Sequence, residues 1–166
     1  MDFKKAQYVC DEMLTKGRGY VKTDDIYTKD DDIIIVFYMD IPKLNIKHTK
    51  DFISISMEQN IHHMIIVYYS ITSSAKKLLM ELHNIQTEFF AISELQFNIT
   101  NHAYVPKHER LSEQDAIAFK QKYGTKLPII LKNDPISKYY NFQSNDIIKV
   151  YRKDNEISYR ICVVNS

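Results

Sequence analysis

The residues of this chain best equipped for chemistry are its carboxylates. Asp24-Asp25 and Asp30-Asp31-Asp32 crowd five acids into nine residues. Clustered acids beside a small α/β core are what a metal-dependent nuclease uses to hold Mg²⁺ and orient water. That chemistry also needs an acid two positions before a lysine on a strand, and the one such spacing, Asp2-Phe3-Lys4, lies at the N-terminal end. The aspartates are therefore read as a solvated loop. His62-His63, and His102 with His108, lack the paired spacing of a zinc site, as do Cys10 and Cys162. They are read as solvated or hydrogen-bonded side chains, with His62 to Tyr68 forming a strand whose polar start faces water. Gly17, Gly19 and Gly124 are the three glycines of the chain, too few for a phosphate-cradling loop, where backbone amides must approach without a Cβ in the way. No nucleophile sits on a glycine-flanked turn. The residues thus point to no catalytic set, metal or cofactor.

One segment keeps a chemical reading. Thr72-Ser73-Ser74 precedes Ala75, Leu78, Leu79 and Leu82, which fall at i, i+3, i+4 and i+7 of a helix. Hydroxyls and unpaired amides at a helix start can receive a phosphate. Lys76 and Lys77 stand in the first turn, where cations oppose the helix dipole unless an anion approaches. The plain alternative is a capped surface helix with solvated lysines.

The elements that must position this segment follow from periodicity. Asp2 to Lys16 reads as a helix stopped by Gly17-Arg18-Gly19. Ile33 to Met39 and Met64 to Tyr69 are continuous apolar runs of the kind buried strands carry. Between them Asp51 to Asn60 alternates as a strand would, but a crossover between parallel strands calls for a helix, and helix is the expectation. Gln86 to Ala91 supplies a third strand, giving an α/β unit. From Leu95 the texture changes, with prolines at boundaries: Pro106 after a short strand, Pro128 before Ile129-Ile130-Leu131, Pro135 at a helix start. Ser112-Glu113-Gln114-Asp115 opens a helix that Gly124 closes. Ile147 to Tyr151 and Tyr159 to Val164 form a terminal β-hairpin about Lys153 to Glu156. The expected fold class is α/β (α+β), with domains at 1–94 and 95–166.

Charge divides the same way. Residues 1–94 hold 11 Lys or Arg against 14 Asp or Glu, a net −3, and residues 95–166 hold 11 against 7, a net +4. Any DNA contact in the acidic part must be local. With 45% apolar residues the chain can bury a core. Its apolar runs fall short of the roughly 18 to 20 residues of a membrane helix, and Met1 to Lys5 lacks the apolar core of a secretory signal. A reducing compartment with both thiols free is expected.

Several segments read in order resemble the shared subunit 5 family of eukaryotic and eukaryote-like DNA-directed RNA polymerases. They are Asn98-Ile99-Thr100-Asn101-His102, Val105-Pro106-Lys107-His108, Leu127-Pro128, Asn133 to Tyr140, Ile147 to Val150 and Tyr159-Arg160-Ile161-Cys162. The ordered set is specific although no single piece is. The first half matches more loosely, through Arg18-Gly19-Tyr20 and through Thr72-Ser73-Ser74-Ala75-Lys76, which is similar to the family's Thr-Pro-Ser-Ala-Lys. Carrying both halves sets the chain apart from the short archaeal form.

The resemblance implies a non-catalytic subunit without cofactor or metal, in a nucleus or, if virus-encoded, in a cytoplasmic viral factory and virion. It implies an N-terminal jaw domain, akin to a nuclease core without its active site, and a C-terminal assembly domain docked on the largest subunit. Thr72, Ser73, Ser74, Ala75, Lys76 and Lys77 would then face downstream duplex DNA. Val105, Pro106, Lys107, His108, Asp134, Pro135, Tyr139, Tyr140, Lys149, Tyr159 and Arg160 would serve docking. Ser73 stands where the family has proline, a departure that bears on the DNA contact, while a shorter final turn and a cut-down loop between the first helix and first strand suit a compact, virus-encoded member. The alternatives are a divergent nuclease-like enzyme and a free transcription adaptor.

Overall fold

The computed structural model describes residues 1–164. Two compact units divide between Phe97 and Asn98. Leu95, where the composition breaks, is buried in the first, at the end of a 3₁₀ turn.

The first unit opens with α1 (Phe3–Glu12), capped by the Asp2 carboxylate, which accepts from the Lys5 N–H at 3.2 Å. The helix expected to run to Lys16 instead widens at Met13–Gly17 into a π turn, closed by the Arg18 N–H on the Met13 carbonyl. That wider turn buries the consecutive Met13 and Leu14 together.

The aspartate-rich loop is in fact a pair of short strands. β1 (Val21–Thr23) and β2 (Ile26–Lys29) pair antiparallel through the tight turn Asp24-Asp25, and β2 joins β3 (Asp32–Met39) through Asp30-Asp31. Asp24 and Asp30 adopt φ of 53° and 52°, a left-handed conformation that Asp tolerates better than most residues. These acids serve turn geometry.

Three parallel strands follow as expected, β3, β4 (His63–Tyr68) and β5 (Gln86–Ala91), in the sheet order β1-β2-β3-β4-β5. The crossovers are α2 (Ile46–Glu58), which starts five residues before the reading at Asp51, and α3 (Ser73–Met80). Strand side chains alternate faces. Ile35, Met64 and Ile66 point to one side, where Phe52 of α2 and Ala75 and Leu79 of α3 cover them. Asp32, Ile34, His63, Ile65, Glu88 and Phe90 share the opposite parity. Cys10 of α1 is buried in this unit.

The second unit is a four-stranded sheet of order β6-β8-β9-β7: β6 (Lys107–Arg110), β7 (Ile129–Leu131), β8 (Ile147–Tyr151) and β9 (Ile157–Val163). Pro106 stands before β6, not after a strand; Ile99–Asn101 upstream is a 3₁₀ turn. α4 (Glu113–Tyr123) is capped by Ser112, which accepts from the Asp115 N–H, and ends at Gly124 with φ +76°. α5 (Pro135–Tyr140) has Asp134 at its cap and proline in its first turn, where the missing N–H costs nothing. Ile130, Ile136, Phe142, Ile148, Val150 and Cys162 form the core. The terminal hairpin pairs Tyr151 with Ile157 and Ile147 with Ile161.

Candidate functional site

The helix start at Thr72 is built rigidly. The Leu44 N–H donates to the Ser70 carbonyl at 2.8 Å and the Thr72 N–H to the Leu44 carbonyl at 3.0 Å, tying the approach to the fully buried Leu44. Thr72 Oγ1 accepts from the Ala75 N–H at 3.2 Å, and the Ser74 hydroxyl donates to Thr72 Oγ1 at 3.4 Å. Ser73, Ser74, Lys76 and Lys77 are exposed, and Thr72 is half-buried. Ala75 is fully buried among the strands, so it cannot face a ligand: it lies on the inward stripe with Leu79, four residues on. Lys76 Nζ lies 5.5 Å from the centre of the Phe89 ring, and Lys77 Nζ is 3.8 Å from Glu81. The ring gives Lys76 a partner that offsets part of its unfavourable position in the first turn.

The residues read as a docking set fall into two groups on opposite sheet faces. His108 opposes Val150, and Arg160 opposes Ile148, on the face that carries the core. There the His108 Nδ1 is 2.8 Å from the Pro106 carbonyl. Burial, with Arg160 and Arg152 adding to it, pushes the His108 ring below its ordinary value and keeps it neutral. Val105 and Tyr140 border the same core, Tyr139 is buried and accepts from Asn98 at 3.2 Å, and Asp134 accepts from the Ile136 N–H with Pro135 exposed beside it. Lys107, Lys149 and Tyr159 share the other face. Lys107 and Lys149 each sit 5.0 Å from the Tyr151 ring, and Tyr159 meets Phe119 of α4 at 4.5 Å.

The structure also assembles a group that sequence reading missed. Arg18 donates two hydrogen bonds to Glu88, at 2.8 and 2.7 Å. His63 Nε2 is 2.7 Å from Glu88 Oε1 and its Nδ1 is 2.8 Å from Asp32 Oδ2, which also accepts from the Tyr20 hydroxyl at 2.6 Å. Of the polar pair expected to face water, His62 is exposed but His63, the first residue of β4, is 4% exposed and turns inward. An ionised carboxylate only accepts, so a ring that donates to both oxygens must carry two protons, and the arrangement favours the imidazolium. Burial opposes that charge, but Glu88 and then Asp32 overcome it and raise the His63 pKa. Burial likewise works against the Glu88 carboxylate, yet Arg18 and His63 hold it down at about 2. Two cations and two anions balance. Gly19, at φ +78°, makes the bend that lets Arg18 and Tyr20 both enter the cluster. Among the described residues no group of His, Cys, Asp or Glu is placed to hold a metal ion, and no helix is long and apolar enough to cross a membrane.

Comparison with known proteins agrees with the ordered segments of the second unit. Residues 97–162 match the family model "RNA polymerase Rpb5, C-terminal domain". The chain is 32% identical over 173 residues to the Dictyostelium discoideum protein named DNA-directed RNA polymerases I, II, and III subunit rpabc1, covering 98% of this chain and 85% of that one. It is 33% identical over 129 residues to the Arabidopsis thaliana DNA-directed RNA polymerase subunit 5-like protein 1, with 74% of this chain and 61% of the relative covered. A viral relative, protein 454R of Invertebrate iridescent virus 6, provisionally named as a DNA-directed RNA polymerase subunit, is 36% identical over 104 residues, 55% of this chain and 56% of its own length. The resemblance read from Asn98 to Cys162 and from Arg18 to Lys76 therefore extends along almost the whole chain, which belongs to the subunit 5 family of DNA-directed RNA polymerases.

Proposed function

We propose that this chain acts in transcription as a non-catalytic subunit of a multisubunit DNA-directed RNA polymerase, with phosphodiester chemistry performed by the largest subunits. The observation that carries this reading is the likeness to a named polymerase subunit over 98% of the chain. In this reading the second unit fastens to the largest subunit. Its two faces offer different chemistry: a neutral His108 with Arg160 and the Asp134-Pro135 cap on one, and Lys107, Lys149 and Tyr159 on the other. The first unit serves as the jaw, a small α/β body akin to a nuclease core, and reaches downstream duplex DNA through Thr72, Ser73, Ser74, Lys76 and Lys77. These groups suit phosphate and not base edges, because they include no Arg, Asn or Gln pair. The contact is weak, salt-sensitive and blind to sequence. Nuclear residence, or a viral factory and virion for a virus-encoded copy, follows from the same assignment.

A tagged copy isolated from its native or infected cells should carry the two largest polymerase subunits in equal stoichiometry. Recovery as a free monomer refutes the reading. Mg²⁺-dependent cutting of DNA by the purified chain would favour the nuclease alternative instead.

A further inference from the structure

The order β6-β8-β9-β7 leaves β7 with one open side. Ile129, Ile130 and Leu131 run parallel to Ile161, Cys162 and Val163. The Ile161 N–H donates to the Pro128 carbonyl and the Lys132 N–H to the Val163 carbonyl. These bonds identify the backbone groups that turn towards β9. Successive residues of a strand offer their amides to opposite sides, so Ile130 bonds to β9 while Ile129 and Leu131 turn outwards. The Leu131 carbonyl accepts from the Asp134 N–H at 3.0 Å. Among the described residues, no backbone partner meets the Ile129 N–H, the Ile129 carbonyl or the Leu131 N–H.

The side chains repeat the pattern. Ile129 is 55% and Leu131 40% exposed, while Ile130 between them is buried. Natural sheets blunt an open edge by keeping it very short or with charge, proline or a bulge on the strand itself; β7 is short, at three residues, but Ile-Ile-Leu carries none of the other devices. The flanks are basic instead: Lys120, Lys122, Lys126 and Lys132 stand in a stretch of thirteen residues without Asp or Glu.

We infer that β7 is completed by an extended segment of a neighbouring polymerase subunit, added as a fifth strand and carrying apolar residues at alternate positions with acids around them. This rests on the chain being a polymerase subunit. Main-chain bonds to Ile129 and Leu131 would hold the strand, the two exposed side chains would fix its register, and the lysines would select its charge.

Hydrogen exchange resolved to single amides tests it, comparing the free chain with polymerase purified through a tagged copy. In the free chain the Ile129 and Leu131 amides exchange freely and Ile130 is protected. In the polymerase all three are protected, the outer two slowing by at least about tenfold. Leu131→Pro removes an outward N–H and leaves the ladder to β9; it should lower incorporation into polymerase several-fold with Ile130 still protected. Should that variant not fold, the comparison on the unaltered chain decides by itself. Polymerase recovered with Ile129 and Leu131 still exchanging freely overturns the added strand and leaves the subunit assignment standing. Protection of those amides in a concentration-dependent dimer of the free chain assigns the edge to a second copy and also overturns it. If the tagged chain brings down no polymerase, the assignment has failed and the added strand falls with it.

Discussion

Glu88→Gln keeps the outline of the side chain and removes its charge. The Arg18 and His63 side chains are 5% and 4% exposed, so two cations would lose their shared anion where water scarcely reaches. Breaking a buried ion pair from one side costs roughly 3–5 kcal/mol. The fall of Glu88 from an ordinary 4.5 to about 2 converts separately to about 3 kcal/mol. The two routes agree, and the loss should fall on the first unit. Amide exchange along β3, β4 and β5 is the assay, with β8 and β9 as the internal control. The pH profile adds a signature. His63 is raised above 6.5 when folded, so its contribution is complete below that value and fades as pH rises through the raised one. Glu88 is depressed, so its contribution is complete above 4.5 and fades as pH falls towards about 2. The first unit should be most stable between those limits, and Glu88→Gln should flatten both arms. A loss under about 1 kcal/mol, the scale of an exposed ion pair, with an unchanged pH profile would refute the electrostatic account of the cluster.

Replacing Lys76 and Lys77 together by Glu should weaken the polymerase's hold on downstream DNA equally on all templates, lowering the salt slope of elongation-complex dissociation by about one per lost phosphate contact, with assembly intact; an unchanged slope would show that the jaw makes no such contact. Thr72→Ala removes the acceptor for the Ala75 N–H and should cost about 1 kcal/mol, visible as faster exchange along α3 alone. Gly124→Ala meets nothing within 4 Å, so its expected loss of about 1–3 kcal/mol is conformational strain at φ +76°, ψ −165° and should appear as a lower urea midpoint for the second unit.

Most elements were legible because they announce themselves locally. Ile33 to Met39 and Met64 to Tyr69 are runs that only a covered strand would tolerate, and Ser112, Asp134 and Gly124 mark helix ends through their own side chains or lack of one. Asp24, Asp25, Asp30 and Asp31 do lie in solvated turns, as read, but the strands between those turns went unseen because the short β1 and β2 carry little apolar alternation. The charge cluster was out of reach for a different reason: Arg18 and Glu88 are 70 residues apart, and His63 is 31 from Asp32 and 25 from Glu88. A usable signal did exist. Asp32, His63 and Glu88 each interrupt or begin an apolar strand at the parity of Ile34, Ile65 and Phe90, which places three polar side chains on one covered face. At α3, helical spacing alone assigns Ala75 inward, and the resemblance to the family's motif is what drew it into the DNA-facing set.

The two cysteines, read first as unremarkable free thiols, are both wholly buried, one in each unit. Burial pushes Cys10 up to about 11 and raises Cys162 as well, so neither offers thiolate to a reagent while its surroundings stay closed. The chain therefore carries two internal clocks. The alkylation rate of Cys10 times the opening of the first unit and that of Cys162 the opening of the second, with no label or substitution added. Equal rates, slowed together when the chain enters a larger assembly, would mean that the two bodies breathe as one; unequal rates would give each its own lifetime.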